Sequence, residues 1–303
     1  MSVGKLSPHF TVLGPGGVGG LLAGLLARAG ERVTVVAGEA TAEHIAANGV
    51  RVESVRFGDF AAEVPAVARL SEPAGVLIVA PKATALDAAL DRIPPELASG
   101  ALVVPLLNGL EHVEHLRRRL PGAHVVAAAI RVESTRVAPG HIRHTSPFTT
   151  LEIATPGAPD GLVAEAADRL RRTGFTVTVT ADEARTLWEK LHFLLPTALV
   201  CTHAGLPLGR ARAERRADLT AAMAEVAEVA AHYGVRLDTA TVLRFADAAP
   251  PATKPSMLRD REAGRPMEVD ALGGALLRAA ERAGVGTPVI ARLVADLERV
   301  DLR

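Results

Sequence analysis

One cysteine, Cys201, stands in 303 residues. A lone thiol rules out an internal disulfide framework, fits a reducing compartment and, with no ligand cluster around it, reads as buried filler and not a nucleophile. Lysine is almost as scarce: of 34 basic residues only Lys5, Lys82, Lys190 and Lys254 are lysine. Arginine keeps its proton near neutral pH, whereas lysine can be tuned to release one. Lys82 and Lys190, each set in an apolar stretch, are therefore the lysines of interest. Net charge is missing too, because 34 acidic residues balance the basic ones. No whole-molecule field recruits nucleic acid or an anionic membrane, and small molecules are the expected partners. The longest apolar run, Leu191 to Cys201, contains His192 and Pro196 and falls far short of the roughly 20 residues of a membrane helix. A glycine-rich motif begins at residue 14, which leaves no room for a cleavable leader and sets the expectation of a cytoplasmic protein. His192, His203 and His232 share no ligand spacing with carboxylates, so no metal is expected.

What is present is enough apolar sequence, 49%, for two domains with a core each. Short β-branched runs alternate with helical periodicity through the first 180 residues. Strands are expected at His9 to Leu13, Arg32 to Val36, Gly75 to Val79, Ala101 to Leu106, His124 to Ala128, Arg131 to Val137, Leu151 to Ala154 and Thr176 to Thr180. Helices fit Val18 to Ala29, Thr41 to Asn48, Thr84 to Asp91, Glu111 to Leu120 and Leu162 to Arg172. After Thr180, alanine-rich sequence of period 3.6 takes over, broken by the proline-rich stretch Ala249 to Pro255. The fold class is α/β: an N-terminal Rossmann dinucleotide-binding domain over residues 1–180, then an all-helical C-terminal domain over 181–303.

Gly14-Pro15-Gly16-Gly17-Val18-Gly19 follows the first strand and opens directly into a helix. In that context G-x-G-x-x-G is a dinucleotide loop. Gly14 permits the turn, Gly16 lets the backbone approach a pyrophosphate, and Gly19 lets the helix pack on the sheet. Gly14, Gly16, Gly17, Val18 and Gly19 are the expected cofactor contacts. Glu39 lies 20 residues beyond Gly19, where an acidic group binds a free ribose hydroxyl, and no arginine stands close by in the sequence at that end of the strand. On this chemistry the chain leans toward NAD(H).

Four further segments carry a family resemblance: Val79-Ala80-Pro81-Lys82, Leu107-Asn108-Gly109, Trp188-Glu189-Lys190-Leu191, and Pro255-Ser256-Met257-Leu258-Arg259-Asp260 ahead of Glu268-Val269-Asp270. Their order and spacing along almost the whole chain resemble the ketopantoate reductase family, which reduces 2-dehydropantoate to pantoate in pantothenate biosynthesis. The resemblance implies NADP(H) as cofactor, a small 2-keto acid as substrate and a homodimer as assembly. It implies Lys190 as the general acid that protonates the developing alkoxide, with Glu268 orienting it. Ser256 is implied as the hydroxyl that binds the substrate carboxylate, and Lys82 and Asn108 as groups facing cofactor and substrate. An ammonium at the carbonyl suits this chemistry, because it stabilises charge present only in the transition state and then supplies the proton.

The sequence departs from the family pattern at the substrate. Where the family carries asparagines one and two turns beyond the lysine, Leu194 and Ala198 stand; Gly273 replaces a third asparagine, and Gly38 replaces the arginine that reads a 2′-phosphate. NAD(H) use is compatible with that last change. Pro196 removes a backbone donor inside the lysine helix and leaves room for a kink. Thr197 and Thr202 are the nearby hydroxyls able to stand in for the missing amides. Besides ketopantoate reduction, the residues leave open a reductase of a less polar carbonyl, a dehydrogenase of amino or hydroxy acids, and a nucleotide-binding sensor without turnover.

Overall fold

A computed structural model describes residues 9–301 of the chain; Lys5 lies outside them. The chain packs as two units. One comprises the residues up to Leu107 together with His112–Thr186; the other comprises Asn108–Glu111 and the residues from Leu187 onward.

The first unit holds thirteen strands among its described residues: β1 His9–Leu13, β2 Arg32–Val36, β3 Val50–Ser54, β4 Phe60–Ala62, β5 Ala66–Val67, β6 Val76–Val79, β7 Leu102–Pro105, β8 His124–Val125, β9 Ala128–Arg131, β10 Ser134–Ala138, β11 His141–His144, β12 Thr150–Ala154 and β13 Thr176–Thr180. They form three sheets. The largest runs β5-β2-β1-β6-β7-β8, and every pairing in it is parallel. Residues of β1, β6 and β7 are buried on both faces, which is why β6 and β7 are unbroken apolar runs and not alternating ones, while β1 buries His9 and Thr11 among its apolar residues. Strand order reverses at β1. The carboxyl ends of β1 and β6 thus form the crevice where doubly wound sheets hold ligands.

Helix Gly17–Arg28 follows β1 and carries a stripe of small residues. A Cβ at Gly17 would overlap the carbonyl of Ser134, one at Gly20 would come within 2.5 Å of Ile142 Cδ1, and one at Gly24 within 3.2 Å of Val52 Cγ2. Ser134, Val52 and Ile142 belong to the second sheet, β10-β11-β3-β4. Each interior glycine costs the helix up to about 1 kcal/mol relative to alanine, and the return is close packing of this sheet on the helix. The third sheet, β13-β12-β9, pairs β12 with β13 in parallel across the helix Asp160–Arg171. That helix turns Arg169 inward. Its guanidinium donates to Glu31 and lies 4.3 Å from the Phe10 ring centroid, so a buried charge is both paired and stacked.

Sequence expectation and structure differ at several elements. The strand expected from Arg131 to Val137 is interrupted, with Arg131 ending β9 and a separate strand running Ser134–Ala138. The expected strand His124 to Ala128 is two strands, since the chain leaves the first sheet after Val125 and enters the third at Ala128. Strands β3, β4, β5 and β11 carry too few apolar residues to register as runs. The helix expected from Thr84 to Asp91 begins as a tight 3-10 turn, Ala83–Ala85, before Leu86–Leu90.

The second unit is helical. Helix Glu183–Ala204 crosses the boundary between the units and is followed by Leu208–Glu214, Arg216–His232, Thr239–Ala248, Ser256–Glu262, Ala275–Ala283 and Pro288–Asp301. Two helix starts are capped by carboxylates. Asp238 accepts from Ala240 N and Thr241 N at 2.9 and 3.2 Å, and the buried Glu225 accepts from Val289 N and Ile290 N, both at 2.9 Å. Each satisfies donors that a helix start leaves open. Pro196 does not break its helix, which runs from Glu183 to Ala204 as one element. Among the described residues no single helix is long and apolar enough to cross a membrane.

Candidate active site

The glycine loop sits at the switch point of the parallel sheet. Gly14 has φ of +83°, a conformation that favours glycine, and donates its N–H to Val36 O at the end of β2 at 3.0 Å. A Cβ there would lie 2.7 Å from Pro81 N. At Gly19 it would overlap the carbonyl oxygen of Gly14 and come within 3.2 Å of Ala80 Cβ. These glycines, and Gly17 against Ser134, are required by the protein's own packing. Gly16 is different. The nearest atom to a Cβ there is Ala80 O, 3.9 Å away, so the protein leaves open the space into which this residue faces. Helix Gly17–Arg28 begins immediately after it, and Val18 is half-buried in its first turn. A cradle that only a glycine leaves empty, at a helix start, fits a dinucleotide pyrophosphate.

Glu39 is exposed and begins helix Glu39–Asn48, with Gly38 as its N-cap. One expectation is corrected at this point. The sequence places no arginine near Gly38, but the fold does: a Cβ on Gly38 would lie 3.8 Å from Arg92 Nη2. Arg92 follows the Leu86–Leu90 helix and its Nη1 donates to Ala68 O at 3.0 Å. No local signal reveals it, because it is 54 residues from Gly38 along the chain. Lys82 lies just past β6, exposed, as the N-cap of the 3-10 turn.

In the helical unit, Asn108 and Glu268 meet. Asn108 Nδ2 donates to Glu268 Oε2 at 3.3 Å, and Glu268 is only 8% exposed. The turn that presents Asn108 depends on Gly109, at φ +97°, where a Cβ would overlap Ala271 O. Ala271 lies in a π-helical turn, Asp270–Gly274, directly after Glu268. Such turns are rare and frequent at functional sites. Arg278 ties the same region together, bonding Glu111 at 3.0 and 2.7 Å and Asp270 at 2.7 Å. Lys190 is half-buried on the Glu183–Ala204 helix.

The residues expected at the substrate wall divide. Leu194, one turn beyond Lys190, is half-buried. Ala198 is 1% exposed and already packed against protein. Gly273 has no room for an amide: a Cβ there would overlap Val294 Cγ2. Nor is Thr197 available to replace one, since its Oγ1 donates to Phe193 O at 2.7 Å and Leu194 O at 3.1 Å. Thr202 is fully buried. Ser256 is exposed in the first turn of Ser256–Glu262, whose N-cap is Pro255 with no side-chain cap. Burial pushes the Cys201 thiol up to about 12, which makes it inert as a nucleophile. Among the described residues no group of three or more His, Cys, Asp or Glu side chains could hold a metal.

Comparison with known proteins gives the family. Residues 10–156 match the family described as ketopantoate reductase PanE/ApbA, and residues 182–300 match its C-terminal domain. The 2-dehydropantoate 2-reductase of Mycobacterium tuberculosis is 32% identical over 300 residues, covering 94% of this chain and 95% of that one. Among solved structures, a PanE/ApbA family ketopantoate reductase from Ralstonia eutropha superposes with a TM-score of 0.86 at 30% identity, over 97% of this chain and 98% of the other. D-mandelate dehydrogenase, solved with NADH and anilino(oxo)acetate, shares the fold with a TM-score of 0.87 at 21% identity, over 97% and 98%. The chain belongs to the ketopantoate reductase family of oxidoreductases.

Proposed function

We propose that this protein is an NAD(P)H-dependent reductase of a small 2-keto acid, with Lys190 as general acid. The observation that carries the reading is the Asn108–Glu268 hydrogen bond. Two residues 160 positions apart, each matched separately to the family's site, meet around a carboxylate that is almost wholly buried. A buried carboxylate is costly unless polar or charged groups face it, so its retention argues for chemistry and against the sensor reading.

A reduced nicotinamide dinucleotide, when bound, supplies hydride to the ketone carbon. Gly16 and the start of the following helix hold its pyrophosphate. As the carbonyl π electrons move onto oxygen, the Lys190 ammonium stabilises the growing negative charge and delivers the proton that completes the alcohol. Glu268 orients that ammonium, and Asn108 holds the carboxylate through its amide. Ser256, exposed at a helix start, offers a hydroxyl to the substrate carboxylate, and Lys82 faces the cofactor.

Substrate choice follows from the wall. An apolar Leu194, with Ala198 and Gly273 unable to offer amides, favours a 2-keto acid with an apolar tail over hydroxylated ketopantoate. Steady-state oxidation of NADPH and NADH against a panel of 2-keto acids tests the reading. Turnover of at least one 2-keto acid supports it, and dinucleotide binding without turnover of any would return the sensor. We further propose that the protein acts in the cytoplasm as a homodimer, which sizing by light scattering checks.

A further inference from the structure

We propose that Arg92 reads the 2′-phosphate of NADP(H), in place of the arginine that Gly38 has displaced, and that the protein therefore prefers NADPH to NADH. The inference rests on the dinucleotide reading of the glycine loop and adds to it the identity of the nucleotide.

Three observations place the guanidinium where that phosphate would lie. The loop is tied to the end of β2 by the Gly14 N–H to Val36 O bond, and the adenosine ribose of a dinucleotide held by such a loop reaches the residues just past this strand. Gly38, two residues past Val36, has no side chain, and the space a Cβ would begin to fill is approached by Arg92 Nη2 at 3.8 Å. The guanidinium is held there by Nη1, which donates to Ala68 O, and the backbone that carries it is fixed by the Arg92 carbonyl accepting from Leu70 N at 2.9 Å. Ala68 follows β5, the strand beside β2.

The charge at this point is uncommitted. Arg32, Arg117, Arg169 and Arg278 lie against carboxylates, whereas Arg92, like Arg28, Arg56, Arg69 and Arg212, bonds to a backbone carbonyl, and no ion pair involves it among the described residues. One of its five N–H groups serves Ala68, which leaves the others for a ligand. Arg69 adds a second positive charge nearby, donating to the carbonyl of Asp91, the residue before Arg92. A 2′-phosphate carries close to two negative charges and three acceptor oxygens, the partner a guanidinium fork binds best. Glu39 opposes it, but its side chain is exposed and free to turn into water, so its repulsion is screened.

Adenosine 2′,5′-bisphosphate and adenosine 5′-monophosphate differ only by that phosphate. Calorimetric titration of the full chain with each gives the discrimination directly, without turnover. The parent protein should bind the bisphosphate at least about tenfold tighter, as expected for a charge-assisted contact. Arg92→Gln keeps a donor for Ala68 O but loses the charge; it should cut that advantage to about threefold or less, with an unchanged thermal midpoint. The NADPH to NADH ratio of kcat/KM should fall in parallel. An advantage retained in Arg92→Gln, or absent from the parent, overturns the assignment. Binding of neither nucleotide to the parent would overturn the dinucleotide reading itself, a different failure from binding without discrimination.

Discussion

Asn108 and Glu268 share a hydrogen bond of 3.3 Å although 160 residues separate them. The contact joins the turn after β7 to the segment that enters a π-helical turn, and on the proposed function the amide is a positioning group. Asn108→Ala should lower kcat by about tenfold while leaving dinucleotide affinity within about twofold. Asn108→Asp, which sets a second carboxylate against Glu268, should be worse and should shift the acid limb of the pH–rate profile. A loss confined to KM for the cofactor would contradict this.

The glycines of the loop should respond in opposite ways. Gly16→Val adds atoms to open space, so the variant should fold with a normal melting temperature and lose dinucleotide binding. Gly17→Ala drives a methyl group into the Ser134 carbonyl and should cost about 1–3 kcal/mol of stability, the range for overpacking. Thermal melts with fluorescence titration of NADPH separate the two. Equal destabilisation by both would remove the distinction between a ligand-facing and a packing glycine.

Much of this was legible in the sequence, and for a physical reason. Strands β1, β2 and β13 have the bounds expected of them because they are local, β-branched and bordered by turn residues. The loop is a contiguous motif whose chemistry is backbone chemistry. The second sheet was not legible: β3 pairs in parallel with β11, which lies some ninety residues on, and neither strand has an apolar run. Arg92 escaped for the same reason, since its place beside Gly38 is made by tertiary packing alone. The burial of Ala198 and the bonding of Thr197 within its own helix were not legible either, because a 3.6 periodicity gives a helix face but not what covers it.

Restoring an amide should succeed at only one of the three altered positions. Leu194→Asn has a half-exposed site and should raise kcat/KM for ketopantoate relative to an unhydroxylated branched 2-keto acid, by about tenfold for one well-placed hydrogen bond. Ala198→Asn and Gly273→Asn bury an amide in packed surroundings and should destabilise the fold by about 1–3 kcal/mol or more. If Leu194→Asn leaves the substrate ratio unchanged, Leu194 does not set specificity.

Acid should unfold the protein in two stages. His9, His144 and His192 all have pKa values lowered, chiefly by burial. The native state therefore holds these rings neutral while the unfolded chain protonates them, and stability present above the ordinary value of about 6.5 declines as pH falls below it. Glu31 acts further down. Burial raises its pKa, but hydrogen bonds from Arg169 and Arg172 outweigh this and hold it below the usual range. Its contribution is complete above about 4.5 and is lost as pH drops through the lowered value. Urea midpoints should fall between pH 7 and pH 5.5 and again below pH 4.5; a midpoint flat from pH 7 to 5.5 would rule out the histidine contribution.

Lys190 is proposed to donate the proton that completes reduction, and single-site kinetics on Lys190→Ala test this most directly. With the best 2-keto acid found for the parent protein, kcat should drop by roughly two to four orders of magnitude, the usual worth of a positioned acid, while the dissociation constant for NADPH moves by less than about twofold. A Lys190→Ala enzyme that turns over at the parent rate would contradict the account.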